Sequence, residues 1–168
     1  MSQLITFEIG NREIDDHDYF VIIEPVFWAV SIYDGPVRYE DDLAPFSKEQ
    51  RFVLAIHWYL SEVNNGGHDQ FYYNSTGIVW KDALQAFVAI GAVDVAAIVE
   101  ESARRLGGEP SLDTEERQEQ MDSTNAEFDD LDDKLFQLQE KVDFDKKVLE
   151  FIRANRQHFF FSGVVKKP

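Results

Sequence analysis

Four histidines, 32 carboxylates and no cysteine set the range of chemistry open to this chain of 168 residues. None of the histidines, His17, His57, His68 and His158, stands at an HExxH-type metal-ligand spacing from a carboxylate. His68-Asp69 is the one adjacent acid–base pair worth weighing, and a small enzyme could be built on it. Neighbouring positions of a helix point apart, however, which works against a dyad there. Ser61, Ser75 and Ser162 lack the strand–turn–helix setting of a nucleophile elbow. Gly66-Gly67 is followed by acids and aromatics, not by Lys or Ser/Thr, so it is no phosphate cradle. The run from Asp129 to Asp133 is a poor calcium loop, because Leu131 interrupts the ligands and no glycine supplies the turn. Without cysteine there is no disulfide, thiolate metal site or thiol nucleophile. No cofactor and no metal are expected, and the chain is read as a binder and not an enzyme.

The stretch Ser61 to Gly77, SEVNNGGHDQFYYNSTG, organises the elements around it. A long apolar-periodic helix runs into Asn64-Asn65-Gly66-Gly67, stops, and restarts as an aromatic-rich turn. Paired glycines supply the left-handed backbone that a helix end commonly needs. Phe71, Tyr72 and Tyr73 give three adjacent rings, too many to leave in water. The expectation is a tight structural corner in which Asn64, Gly66, Gly67, Asp69, Gln70 and Asn74 fix the turn and occupy freed backbone groups.

This corner, NGG-HDQFYYNS-G, followed by ALQAFVAIGA and an alanine-rich amphipathic helix, resembles the core signature of the DNA mimic protein 19 family of bacteria. The resemblance covers residues 47–108 and extends to the acidic remainder by character. It implies a small, acidic, mostly helical protein. It also implies a double-stranded DNA mimic that occupies a DNA-binding transcription factor, as at least one family member is understood to do.

The flanking elements follow from periodicity and caps. Leu4 to Ile9 alternates and reads as a short strand or an extended arm. Asp15, Asp16 and Asp18 precede an apolar run from Tyr19 to Ile32, which Pro25 should kink or divide. Asp34-Gly35-Pro36 reads as a turn, and Glu40-Asp41-Asp42 as an acidic loop closed by Pro45. Ser47-x-x-Gln50 is a capping box opening the central helix, whose Phe52, Ile56, Tyr59, Leu60 and Val63 form a core face. Trp80 to Ile90 is the next helix, ended by Gly91. Asp94 caps another, which closes at Arg104, Arg105 and Gly107. Asp113-x-x-Glu116 starts a helix, and a further one is expected from Asn125 to Lys141. In it Phe128, Leu131, Leu135, Leu138 and Val142 make a heptad-like seam against a neighbour in the same subunit or a partner. That seam leaves Glu127, Asp129, Asp130, Asp132, Asp133 and Glu140 facing water or a ligand. Asp143 caps the last helix, and the tail GVVKKP is expected to fray. The fold class is an all-α single domain, residues 1–168, a bundle of about six to eight helices with a short N-terminal strand or arm.

Charge decides the function class. The net charge is −16, and hydrophobic content of 44% with 14% aromatic excludes a disordered acidic chain. Residues 109–145 hold 14 acids and 3 bases, whereas residues 146–168 hold 1 acid and 6 bases. Such a surface repels nucleic acid and anionic membranes and favours basic partners. No apolar run has the length of a membrane span, and the N-terminus has no secretory pattern, which fits a cytoplasmic protein. A helix from Asn125 to Lys141 spans about 25 Å, the length of about 15 duplex phosphates. It supplies six acids against two lysines, far short of DNA. The phosphate-mimicking set is therefore drawn wider: Asp15, Asp16, Asp18, Glu40, Asp41, Asp42, Glu116, Glu119, Asp122, Asp129, Asp130, Asp132 and Asp133. The expected partner is a basic DNA-binding protein, above all a helix-turn-helix transcription factor. A homodimer is expected from the seam and from the charge shortfall. The runner-up is an immunity-type acidic inhibitor of a basic nuclease or toxin.

Overall fold

The two ends of the chain meet. In the computed structural model, which describes residues 3–167, β1 (Gln3–Ile9) pairs antiparallel with β2 (Phe161–Lys167). Gln3 stands opposite Lys167 and Ile9 opposite Phe161. The tail expected to fray is therefore a strand from Phe161 through Lys167. Its residues alternate between half-buried and exposed, with Val165 buried against the body of the protein. Local sequence could not show this, because the partner strand lies at the other end of the chain.

Nine α-helices lie between the strands among the described residues. Two that the periodicity did not announce are short: α1 (Asn11–Asp16) and α3 (Gly35–Leu43). The latter corrects the reading of Asp34-Gly35-Pro36 as a plain turn and Glu40-Asp41-Asp42 as a loop. Pro36 in a first helical turn starts a helix as readily as it makes a turn. Tyr39 and Leu43, one turn apart, then bury and hold the helix down. Before it, α2 (Tyr19–Ala29) runs through Pro25 as one helix and not two pieces. Asp18 caps it, accepting from the backbone N–H groups of Phe20 and Val21 at 2.9 and 3.1 Å.

The core gathers around α4 (Lys48–Tyr73). Its capping box is closed in both directions: Gln50 N donates to Ser47 Oγ at 3.0 Å, and Ser47 N to Gln50 Oε1 at 2.9 Å. Phe52 through Ile56, Tyr59 and Val63 are all buried, so this helix is covered on most of its circumference. A 3₁₀ turn (Ser75–Val79) leads to α5 (Trp80–Ala89) and α6 (Val93–Arg105). Asp94 is in the first turn of α6 but is not its cap; Ala92 holds that place and offers no side-chain bond.

In the acidic segment, α7 (Thr114–Thr124) is capped by Asp113 and ends at Asn125, a left-handed residue with φ 46°. That ending takes Asn125 out of the next helix. α8 is therefore Asp129–Gln139, shorter than Asn125 to Lys141. Asp143 caps α9 (Phe144–Ala154) through Lys146 N at 3.0 Å. The seam of α8 packs within the subunit: Phe128, Leu131 and Leu135 are buried in the same hydrophobic cluster as α4 and α6. It is not available to a second copy. Among the described residues, no helix is long and apolar enough to cross a membrane.

Candidate functional site: an acidic helix pair on a clamped corner

The corner breaks α4 at Gly66 and Gly67, where Gly67 takes φ 72° and ψ −176°. A side chain is strained in that region, and a Cβ there would also overlap the Asp132 carboxylate. The break frees backbone N–H groups at the start of the second half-helix, and Asp132 of α8 takes one of them. Its Oδ1 accepts from His68 N at 3.0 Å and lies 2.5 Å from His68 Nδ1. A carboxylate only accepts, so Nδ1 carries a proton. In the neutral ring Nε2 is left to accept from the Tyr59 hydroxyl at 2.7 Å. His68 and Tyr59 are both fully buried, and burial holds the Tyr59 hydroxyl well above its ordinary pKa. Asp132 thus faces the protein interior and not water or a ligand, which corrects its placing on the open face of α8. Asp69 takes no part in this chain of bonds and is exposed.

Side chains on either side of the break tie it further. Asn64 and Gln139 exchange amide hydrogen bonds of 3.0 and 2.8 Å, joining α4 to the end of α8. Glu62 Oε2 accepts from Gln70 at 2.6 Å and from Asn74 at 3.3 Å, bridging the two halves of α4.

A residue that sequence reasoning missed closes the other end of the corner. Arg117 of α7 is completely buried and donates to the carbonyls of Tyr72 (2.7 Å), Asn74 (2.6 Å) and Ser111 (2.7 Å). Two of these are orphan carbonyls at the end of α4, where a cation also meets the negative end of the helix dipole. Burial lowers the Arg117 pKa to about 10. Gly77 is required at the exit, because a Cβ would overlap the guanidinium. The available signal was that Arg117 is the sole base between Glu109 and Asp122.

The structure separates the thirteen candidate carboxylates into those with internal partners and those without. Asp15 pairs with Arg156 at 2.9 Å, and Asp18 is spent as a cap. Glu40 receives both arms of Arg51, at 2.7 and 2.6 Å, and is held below its ordinary pKa by them. The same Arg51 reaches Asp82, which also accepts from buried Tyr39 at 3.0 Å. Asp42 accepts from Ser31 N and pairs with Arg38 at 2.8 Å. Asp130 receives both arms of Arg105, at 2.5 and 2.9 Å, which brings its pKa down to about 2. Glu116 accepts from Ser111 Oγ at 2.8 Å.

Among the described residues, Asp16, Asp41, Glu119, Asp122, Asp129 and Asp133 remain exposed with no side-chain partner. Four of these six lie on α7 and α8. Glu119 shares its face of α7 with Glu115 and Asp122, at steps of four and three. Asp129 and Asp133 stand one turn apart on α8, about 5–6 Å between Cβ atoms. Asp69 joins them: partial burial raises its pKa, and the nearby charges of Asp132 and Asp129 raise it further. A second acidic group, also missed from sequence, places Asp145 near Asp18 and Asp143, with its pKa raised by burial and then by those two charges. Its groove, about 580 Å³ in volume, is lined by Tyr19, Asn64, Glu140, Asp143 and Asp145 among others.

No curated protein and no solved structure matches this chain. A family model does, that of the DMP19-like proteins, and its match runs from residue 44 to residue 155. It takes in α4 with its broken corner, α5 and α6, and continues through the acidic helices beyond the expected limit at residue 108. With well over half of its length matched, the chain belongs to the DMP19-like protein family.

Proposed function

We propose that this protein is an acidic mimic of double-stranded DNA that binds the basic DNA-reading surface of a transcription factor or similar protein and denies it DNA. The observation that carries the reading is the set of exposed, unpartnered carboxylates on the two helices tied to the corner, Glu115, Glu119 and Asp122 on α7 and Asp129 and Asp133 on α8, the latter helix with Asp69 beside it. Among the described residues these side chains have no internal cation to neutralise them, whereas Glu40, Asp42 and Asp130 do. The corner clamps hold the helices that bear them, so carboxylate spacing is set before any partner arrives, which lowers the ordering cost of binding. Family membership supports the same reading, and the DMP19-like family is not a known enzyme family. The His68/Asp69 enzyme reading has lost its geometry, since His68 is buried against Asp132 and Tyr59.

The test is competition with DNA. The protein is used to capture basic partners, each identified partner is loaded with its labelled duplex, and displacement is followed by anisotropy. The native protein should displace DNA, and the variant Glu119→Gln, Asp122→Asn, Asp129→Asn, Asp133→Asn should do so poorly while keeping its fold. Equal displacement by both would remove these carboxylates as the phosphate mimic. Capture of a nuclease alone, with inhibition of its active site, would favour the inhibitor reading instead.

A further inference from the structure

The face that carries β2 sets exposed apolar side chains beside charges of both signs, with Asp34, Arg38, Asp42 and Lys166 bordering one cavity. Tyr33 and Val164, 74% and 61% exposed, help to line a cavity of about 910 Å³ walled by Phe27, Trp28, Trp58 and Ile32. Val164, Val165 and Lys166 all border it. Successive strand residues point to opposite sides of a sheet, so a space that touches three in a row runs along the strand's edge and not over one face. On that edge β2 has no strand paired to it: the sheet has two strands, and no backbone group of residues 161–167 bonds to chain outside the ladder among the described residues. Trp58 in the cavity wall also carries, at its indole Nε1, the one buried side-chain polar atom among the described residues without a partner.

Charge narrows the occupant. With a net charge of −16, a second copy is repelled over most of the surface. β2 contains Lys166 and Lys167 and no acid. Lysines on an edge strand ordinarily block open-ended pairing. Across an antiparallel two-fold near Val164, however, they fall opposite Ser162 and Phe161 of the other copy and not opposite each other. The Ser162 hydroxyl donates to Glu8 at 2.6 Å, so Lys166 of one copy arrives on the row that ends in a carboxylate of the other.

We propose that two copies of this chain pair antiparallel through their β2 edges, forming a four-stranded sheet in the order β1, β2, β2, β1 and covering Tyr33 and Val164. Pairing of β2 with β2 is isologous and closes at two copies, whereas β1 on β2 would be head-to-tail and propagate. Among the described residues, none of α7 or α8 borders the cavity along that edge.

Sedimentation of the full chain at micromolar concentration, without any partner protein, tests this. The native protein should run at twice its 19.4 kDa mass. Val164→Glu places two like charges across the axis, Tyr33→Glu puts a charge into the cavity that pairing covers, and each should raise the dimer Kd by at least about 100-fold. Both sites are exposed in the subunit, so the fold is kept, as circular dichroism can check. Val88→Glu, at an exposed site on α5, should leave the dimer unchanged. Amide exchange along β2 should slow with rising concentration in the native protein and not in Val164→Glu. A native monomer throughout the micromolar range, with its edge left to a foreign strand, overturns the proposal. So does a dimer that survives both glutamate substitutions.

Discussion

One carboxylate oxygen of Asp132 serves both the backbone N–H and the ring Nδ1 of His68, at 3.0 and 2.5 Å, across 64 residues of sequence. It acts as a cap supplied by one helix to the broken middle of another. The exposed row of acids on α8 is thereby keyed to a buried histidine.

The first expectation concerns that bond. Asp132→Ala leaves two buried donors without their charged acceptor and should cost about 2–4 kcal/mol of stability. Asp133→Ala, one residue along and exposed, should stay within about 0.5 kcal/mol of the native protein. Urea denaturation of the two variants gives the comparison, and equal midpoints would remove the clamp.

Glycine substitutions separate backbone strain from crowding. Gly91 has φ 74° and nothing within 4 Å of the place a Cβ would take, whereas Gly67 has φ 72° and meets Asp132. Gly91→Ala should cost about 1 kcal/mol from strain alone, and Gly67→Ala about 2–4 kcal/mol, because Asp132 must also move. Thermal melts that rank the two in the opposite order would count against the close approach.

Arg117 should be the least replaceable cation. Arg117→Ala strands three carbonyls in the interior and should destabilise by about 3–5 kcal/mol. Arg104→Ala, on a guanidinium that is mostly exposed beside Glu101, should cost about 0–1 kcal/mol. Chemical denaturation of both decides it.

Acid should act through His57. Burial among Phe20, Phe27 and Trp58 lowers its pKa from 6.5 to about 4. Above 6.5 the ring is neutral in both the folded and unfolded chain and pH has no effect through it. As pH falls from 6.5 to 4 the unfolded chain takes up a proton that the folded one refuses, so stability drops by roughly 2–3 kcal/mol. His57→Gln should flatten that part of the stability curve, measured as urea midpoints at pH 7 and pH 4.5. An unchanged slope would place the acid sensitivity elsewhere.

Binding to a captured basic partner should weaken as salt rises, because exposed charges are screened within about 10 Å at 0.1 M. Single amide substitutions at Glu119, Asp122, Asp129 or Asp133 should each cost about 0.2–1 kcal/mol of affinity. Isothermal titration over a salt series measures both, and a salt-independent Kd would point to an apolar contact surface.

What the sequence determined by itself was local. Ser47 with Gln50, Asp18, Asp113 and Asp143 start helices where they stand, because a cap acts on N–H groups two or three residues away. The corner at Gly66-Gly67, the burial of the Phe128–Leu135 seam and the net charge were legible for the same reason: each is a property of neighbouring residues or of a sum. Tertiary structure decided what depends on distant partners. Pro36 reads equally as turn or helix start until Tyr39 and Leu43 find the core. The tail became β2 only because β1 lies beside it. Above all, Asp130, Asp132 and Asp133 are chemically alike in the chain, yet one meets Arg105, one meets His68, and one meets water. A carboxylate's role is set by the cation or donor within about 4 Å of it, and the fold alone brings that neighbour from far along the chain.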